Sequence, residues 1–488
     1  MLQMRDRYLI RERKPLIGNL LQIPSHHSWL KFRNWSTRYG DIFRLSIAGH
    51  NHHREQLPMA AQLVGGNLRS LFLPYGETRR SVRKLMHALT NTTVAVTYQH
   101  LLEQESLRAV RDLMRVPEKY ETWFERYLAG LILRLAYSKQ IQTGEETFVR
   151  KILAVVYTIE RVASPGSYLV DALPFLLYLP SFLAPFKRET ARLYKEELDL
   201  FREPLKEGVA NSSADAAEDN FCGKWYKSRE SYNISDDHAA YAIGTLFEAG
   251  AGTTASAMMS FMLAMTSHPA EYTKLQAEVD EVVGNDRIPS FDDMPSLRRV
   301  RAVAKEVFRW RLVTAGGLPH ALTRDDVYEM KDGRKLFFPA GTNFHPVQWS
   351  IHRGTNRYPD PDNFRLESWL EKGWPTFKEP LTQYPNLQKF SAFGFGRRIC
   401  SGLNIAEQSL YILISRIAWC CDLSCKMSPE GEVIMPPLYD YVSGFNVNIN
   451  CILVVNQLII ANLISTQPKK FEFDLGVRAG RQELFEKN

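Results

Sequence analysis

Ten residues constrain this chain more than any others: the stretch Phe393 to Gly402, which reads Phe-Gly-Phe-Gly-Arg-Arg-Ile-Cys-Ser-Gly. It packs three glycines, two arginines and a single thiol together, and an amphipathic helical pattern from Leu403 to Ile417 follows. Gly394, Gly396 and Gly402 allow close backbone approach and permit positive φ. Arg398 can pair with a carboxylate. Cys400 stands just before a helix, whose N-terminus favours the thiolate form. A chain built to hold one cysteine sulfur against a flat anionic ligand needs these residue types. The plainer alternative, a buried cysteine in an ordinary glycine-rich turn, does not require this spacing.

The pattern F-x-x-G-x-R-x-C-x-G resembles the heme-binding signature of the cytochrome P450 superfamily. Every fixed position is filled: Phe393, Gly396, Arg398, Cys400 and Gly402. The resemblance implies heme b as cofactor with Cys400 as the axial thiolate on iron, a ligand that favours O–O bond cleavage. It also implies a mainly α fold, a single domain over residues 1–488 with a small β-sheet region around a buried heme.

The length suits about three domains of ordinary size, yet no repeat or long linker divides the chain. Hydrophobic content of 45% provides for a large core. The six cysteines lack a secreted disulfide spacing, and Cys420, Cys421 and Cys425 have no histidine pair nearby to make a zinc site, so a reduced, cytosol-facing chain fits better. The net charge of +7 gives weak support for an acidic partner or an anionic membrane surface. Without a dense basic run interleaved with aromatics, nucleic acid is not expected.

Met1 to Lys14 carries four arginines and no long apolar run, so it is neither a signal peptide nor a membrane-spanning helix. Lys14 to Leu20 resembles the proline-glycine hinge that follows the membrane anchor of microsomal members. The expectation is a lost anchor, with a soluble member as the alternative, and an endoplasmic reticulum or peripheral, cytosol-facing location. Tyr39 to Leu45 resembles the family's first sheet strand. Pro58-Met59-Ala60 then resembles a region normally much further on, so residues 50–57 read as a shortened wall of the substrate pocket. In Tyr75 to Lys84, Arg83 keeps the family's heme-propionate position and Arg79 replaces a tryptophan; at i and i+4 both share a helix face. Residues 96–230 read as helices and loops. Pro174 to Phe186, rich in Leu, Phe and Pro, borders the substrate channel or touches membrane.

Ser235 to His268 reads as one helix, with a cap at Ser235, Asp236 and Asp237 behind it, and Pro269 at the end. At 1.5 Å per residue it spans about 50 Å. Its centre, Ala249-Gly250-Ala251-Gly252-Thr253-Thr254, is poor for helix stability, two glycines costing roughly 1 kcal/mol each. Small side chains there admit a flat cofactor or a close helix crossing, and a threonine hydroxyl can divert a backbone bond. By resemblance to the oxygen-activation motif, Thr253 is the proton-relay threonine, Thr254 its neighbour, and Gly252 occupies the place of an acid. Glycine has no proton to give, so Glu248, one turn earlier, or a water would substitute.

Glu306 and Arg309 form an E-x-x-R pair, which resembles the family's structural lock behind the heme loop. The third member, normally an arginine, aligns with Ser368 in Asp362 to Trp369. The expectation is a Glu306 less well paired, unless Arg365 swings in. His320, after Gly316 to Pro319, stands where a propionate-binding residue is common. Near the C-terminus, Met427 to Asn448 reads as a hairpin, residues 448–466 as an insertion of translated intron sequence, and Phe471, Phe473, Leu475 and Val477 alternate as a strand should.

The resemblance therefore implies a monooxygenase that inserts one oxygen atom from O2 into a small apolar molecule. Electrons would come from NADPH through a flavoprotein reductase docked on the basic face near Cys400. Similarity around Ala315 to His320 and Gln383 to Ala406 is greatest to filamentous-fungal members, many of which tailor secondary metabolites. Two other readings stay open: a heme-binding but impaired product of a damaged gene, and peroxide-driven or isomerising heme-thiolate chemistry.

Overall fold

The computed structural model describes residues 19, 22–24, 27–45, 57–144, 146–163, 168–212, 219–330, 332–443 and 466–487. The principal helices are α1 (Ser28–Tyr39), α2 (Glu77–Thr90), α3 (Gln99–Arg115), α4 (Tyr120–Tyr137), α5 (Thr147–Ala163), α6 (Pro185–Ala210), α7 (Asp236–Ser267), α8 (Pro269–Val283), α9 (Arg298–Trp310) and α10 (Leu403–Cys420). The strands are short: β1 (His320–Ala321), β2 (Asp326–Glu329), β3 (Lys335–Phe338), β4 (Asn343–Phe344), β5 (Cys421–Met427), β6 (Val433–Ile434), β7 (Tyr441–Ser443), β8 (Thr466–Pro468) and β9 (Phe473–Val477). All ladders are antiparallel: β1 with β4, β2 with β3, β5 with both β6 and β9, and β7 with β8. The mainly α expectation holds.

Helix α7 has the ends its sequence requires. The Ser235 hydroxyl accepts from the His238 N–H at 3.3 Å, and Asp236 and Asp237 sit in the positive first turn. Pro269, lacking an N–H, closes α7 and opens α8. From Ala239 to Ile243 and from Ala255 to Met265 every described apolar side chain is buried, as a helix that is apolar all round must be. Its glycines mark crossings. A Cβ at Gly250 would lie 2.4 Å from Ile132 Cδ1 on α4, and one at Gly244 would lie 2.3 Å from the Phe201 ring on α6. Close helix packing thus accounts for Gly250, whatever else the gap admits.

One core cluster runs through α2, α3, α4, α7, α9 and α10. A smaller cluster joins the π-helix Pro58–Val64 to α5 through Met59, Ala60, Val64, Ile159 and Val162. Among the described residues the strand expected at Tyr39 to Leu45 forms no ladder: Tyr39 ends α1 and Arg44 holds a single bridge. Residues 1–18 and 50–56, where the lost anchor and shortened wall were expected, lie outside the described residues, as do 448–465.

The far end of the expected insertion needs correcting. Thr466 is a strand residue, paired with Ser443, and its N–H donates to the Val313 carbonyl at 2.6 Å. Gln467 accepts from the Ser256 hydroxyl on α7 at 2.8 Å. The two arms of this hairpin are therefore in register on either side of residues 444–465. Partners in an antiparallel pair lie about 5 Å apart, within reach of a two-residue turn. Replacing residues 444–465 by Asn-Gly should leave the fold intact and raise stability by up to about 2 kcal/mol through the shorter loop. Thermal unfolding of the shortened chain checks this; loss of cooperative unfolding would show that the segment is part of the core.

Candidate active site around Cys400

The cysteine loop is held at both ends. The Cys400 N–H donates to the Phe393 carbonyl at 2.8 Å, which closes the loop on itself. Within it Gly394 and Gly396 have φ of 86° and 53°, a region that side chains disfavour. Gly402 does not share that reason: its φ is −83°. A Cβ there would lie 4.0 Å from the Cys400 sulfur, in ordinary contact. Phe393 packs edge-on against Phe308 of α9, ring centres 4.8 Å apart.

Cys400 is exposed to the cavity that it lines. Desolvation by the protein packed around it pushes its thiol above the ordinary pKa. The Gly402 and Leu403 N–H groups and the Arg83 charge pull the other way. Burial outweighs the helix N-terminus here, contrary to the expectation from sequence; a coordinating metal would remove the proton outright.

The sulfur faces a cavity of about 360 Å³. Helix α7 also lines it, through Ala249, Gly250, Thr253 and Thr254. Arg83, His320 and Arg398 line it, as does Arg79. Arg398 reaches across to the Leu73 carbonyl at 2.7 Å, and Arg83 donates to the Ser401 hydroxyl. Arg79 is buried, not a solvated basic face, and donates to the Arg397 carbonyl at 3.0 Å. The Thr253 hydroxyl donates to the Ala249 carbonyl one turn back, at 2.8 Å. The structure thus gathers Cys400, Phe393, Gly402, Arg83, His320, Arg398, Thr253 and Thr254 on one cavity, while Gly396 shapes the loop. A thiol, a small-residue wall and basic side chains on one cavity fit a flat dianion such as heme.

Behind the loop, Glu306 is fully buried and fully paired, which corrects the expectation for it. Arg309 donates to both carboxylate oxygens at 2.8 and 2.7 Å. The Arg365 backbone N–H donates at 2.9 Å and the Trp369 indole at 2.8 Å. The Arg365 guanidinium does not swing in; it pairs with Asp360. Arg309 also donates to the Pro361 and Asn363 carbonyls, at 2.6 and 2.7 Å. An indole and a backbone amide replace the arginine missing at Ser368. Sequence reasoning missed Trp369, although an N–H donor one position after Ser368 was the signal.

It also missed Arg69. Glu248, expected as a free acid, is bonded to the Arg69 guanidinium, which bonds Glu197 on α6 as well. Nothing in the local sequence marks that cluster.

The family model of cytochrome P450 matches residues 53–435. The chain is 30% identical over 451 residues to cytochrome P450 monooxygenase 58 of Postia placenta, spanning 88% of this chain and 84% of the relative. It is 31% identical over 453 residues to cytochrome P450 monooxygenase fogE of Aspergillus ruber, spanning 88% and 83%. A zebra fish cytochrome P450 solved with progesterone superposes with a TM-score of 0.68, covering 92% of this chain and 99% of that one at 20% identity. That likeness shows the fold.

Removing one donor to Glu306 should cost less than removing its counter-ion. Trp369→Phe is expected to destabilise by about 1–3 kcal/mol and Arg309→Ala by about 3–5 kcal/mol. Denaturant unfolding checks the order; equal small effects would mean that Glu306 is not the pinned group described.

Proposed function

The chain belongs to the cytochrome P450 family of monooxygenases, and we propose that it inserts one oxygen atom from O2 into a small apolar molecule of fungal secondary metabolism. NADPH supplies the electrons through a flavoprotein reductase. The observation that carries this reading is that Cys400 and Thr253 of α7 line one mostly apolar cavity.

Heme, the family's cofactor, supplies dioxygen activation when bound, and a thiolate ligand favours O–O cleavage. The chain's own residues do the rest. Cys400 presents its sulfur, steadied by the Gly402 and Leu403 N–H groups. Arg83, Arg398 and His320 line the cavity and would supply charge and hydrogen bonds to the anionic groups of a bound heme. Leu128, Ile132, Val156 and Phe308 line the cavity and exclude water. The Thr253 hydroxyl holds a proton on the α7 wall. Because Gly252 carries none, that hydroxyl works through water rather than through an adjacent acid. The satisfied Glu306 supports an intact enzyme over a damaged one.

Arg80, Lys84 and Arg397 are exposed, Arg80 and Arg397 both over the Tyr75 ring, and form the docking face we assign to the reductase. Among the described residues no helix is long and apolar enough to cross a membrane. Leu169, Phe175, Tyr178, Phe182 and Leu183 are nevertheless exposed together in sequence, which supports peripheral membrane contact by this segment.

The reduced, carbon-monoxide-bound protein should show the red-shifted Soret band of thiolate ligation, lost in Cys400→Ser. A wild-type protein without that band would overturn the reading. In Thr253→Ala, product formed per NADPH should fall about tenfold or more with peroxide released instead; unchanged coupling would remove Thr253 from the relay. Arg397→Glu should slow reduction by the reductase, more so at low salt, and leave the dithionite-reduced spectrum unchanged.

A further inference from the structure

The Arg69 cluster carries more acid than base. Arg69 lies in the turn after the π-helix, with its side chain 1% exposed, and bridges Glu197 of α6 (3% exposed) and Glu248 of α7 (11% exposed). Only Arg69 and Glu248 of the three line the cavity. Glu248 is also the only acidic residue among the described lining residues. Tyr241 of α7 packs its ring 5.8 Å from the guanidinium, and Tyr194 of α6 lies against Gly66 next to the turn. Among the described residues no second basic side chain pairs with either carboxylate. Arg69 Nε, also buried, has no acceptor.

Two carboxylates around one guanidinium leave one uncompensated negative charge beside an apolar cavity. Such a charge is expensive to bury unpaired. Burial and the neighbouring Glu248 charge both push the Glu197 carboxyl upward, which is the sign of that cost. Of the other basic lining residues, Arg79, Arg83 and Arg398 hold bonds around the cysteine loop. The cluster's open side is Glu248, so a positive charge can reach it from the cavity that Glu248 lines.

We propose that the substrate is an apolar molecule bearing a basic nitrogen, and that Glu248, backed by Glu197 through Arg69, anchors that nitrogen. This deepens the monooxygenase reading and rests on it. Glu248 stands one turn before Gly252 and close to Thr253 along α7, so the anchored end is fixed relative to the site of oxidation. Glu248 is then a binding residue. Glu197 acts through Arg69 and sets the charge.

The test compares phenylbutyl trimethylammonium, whose fixed charge cannot coordinate iron, with its uncharged tert-butyl isostere. Binding of each to the heme-loaded protein is measured by calorimetry. The wild type should bind the cation about tenfold more tightly. Both Glu248→Gln and Glu197→Gln should abolish that preference, the second without altering the cavity lining. Equal binding, or tighter binding of the uncharged probe, in the wild type overturns the proposal, since the cluster then holds a proton instead. A preference that survives in either variant overturns it too. The carbon monoxide spectrum of the same samples keeps the two questions apart: its failure sinks the monooxygenase reading, whereas lost preference in a protein that passes it sinks only this inference.

Discussion

A buried carboxylate determines how rigidly this molecule can hold its thiol. Glu306 has no solvent exposure, so every lone pair it directs inward must meet a donor or destabilise the fold by several kcal/mol. It meets four, from Arg309, Arg365 and Trp369. Those donors tie α9 to the segment from Asp360 to Trp369, and Arg309 extends the tie through the Pro361 and Asn363 carbonyls. Phe308, on the same helix, then packs on Phe393 at the base of the cysteine loop. The loop is therefore braced from behind by a polar network and from the side by an aromatic contact.

Against that fixed loop stands α7. Its glycines allow α4 and α6 to approach closely, and the small residues Ala249 and Gly250 line the same cavity as Cys400. One stretch of sequence thus satisfies two demands, helix crossing and room for a flat group. The intrinsic cost of glycine in a helix is offset by burial of α7 on nearly all sides. On that wall Thr253 turns its hydroxyl onto the Ala249 carbonyl one turn back.

The cysteine loop and the long helix were legible because each is local. Loop φ values, cap residues and i, i+4 relations depend on a few consecutive residues, and these read correctly at Gly394, Gly396, Ser235 and Pro269. The misreadings share the opposite origin. The pairing of Glu306 could not be judged from Ser368 alone, since its replacement donors are an indole and a main-chain amide placed by a turn. Gly402 was assigned positive φ, yet its φ is −83°. Thr466 was placed in an insertion, although its partner Ser443 lies far back in the chain.

Sequence by itself pointed to the cofactor loop: five fixed residues in ten match the signature of the family to which the chain belongs, and a single cap-to-proline helix supplies a wall of the same cavity. Only the tertiary structure decided the electrostatics of the cavity. Charge balance depends on which side chains share a buried volume, and Arg69, Glu197 and Glu248 come from three elements far apart in sequence. The same holds for Cys400. Its place before a helix favours thiolate, yet enclosure by the folded chain raises the thiol, because desolvation depends on everything around a group and not on its neighbours in sequence.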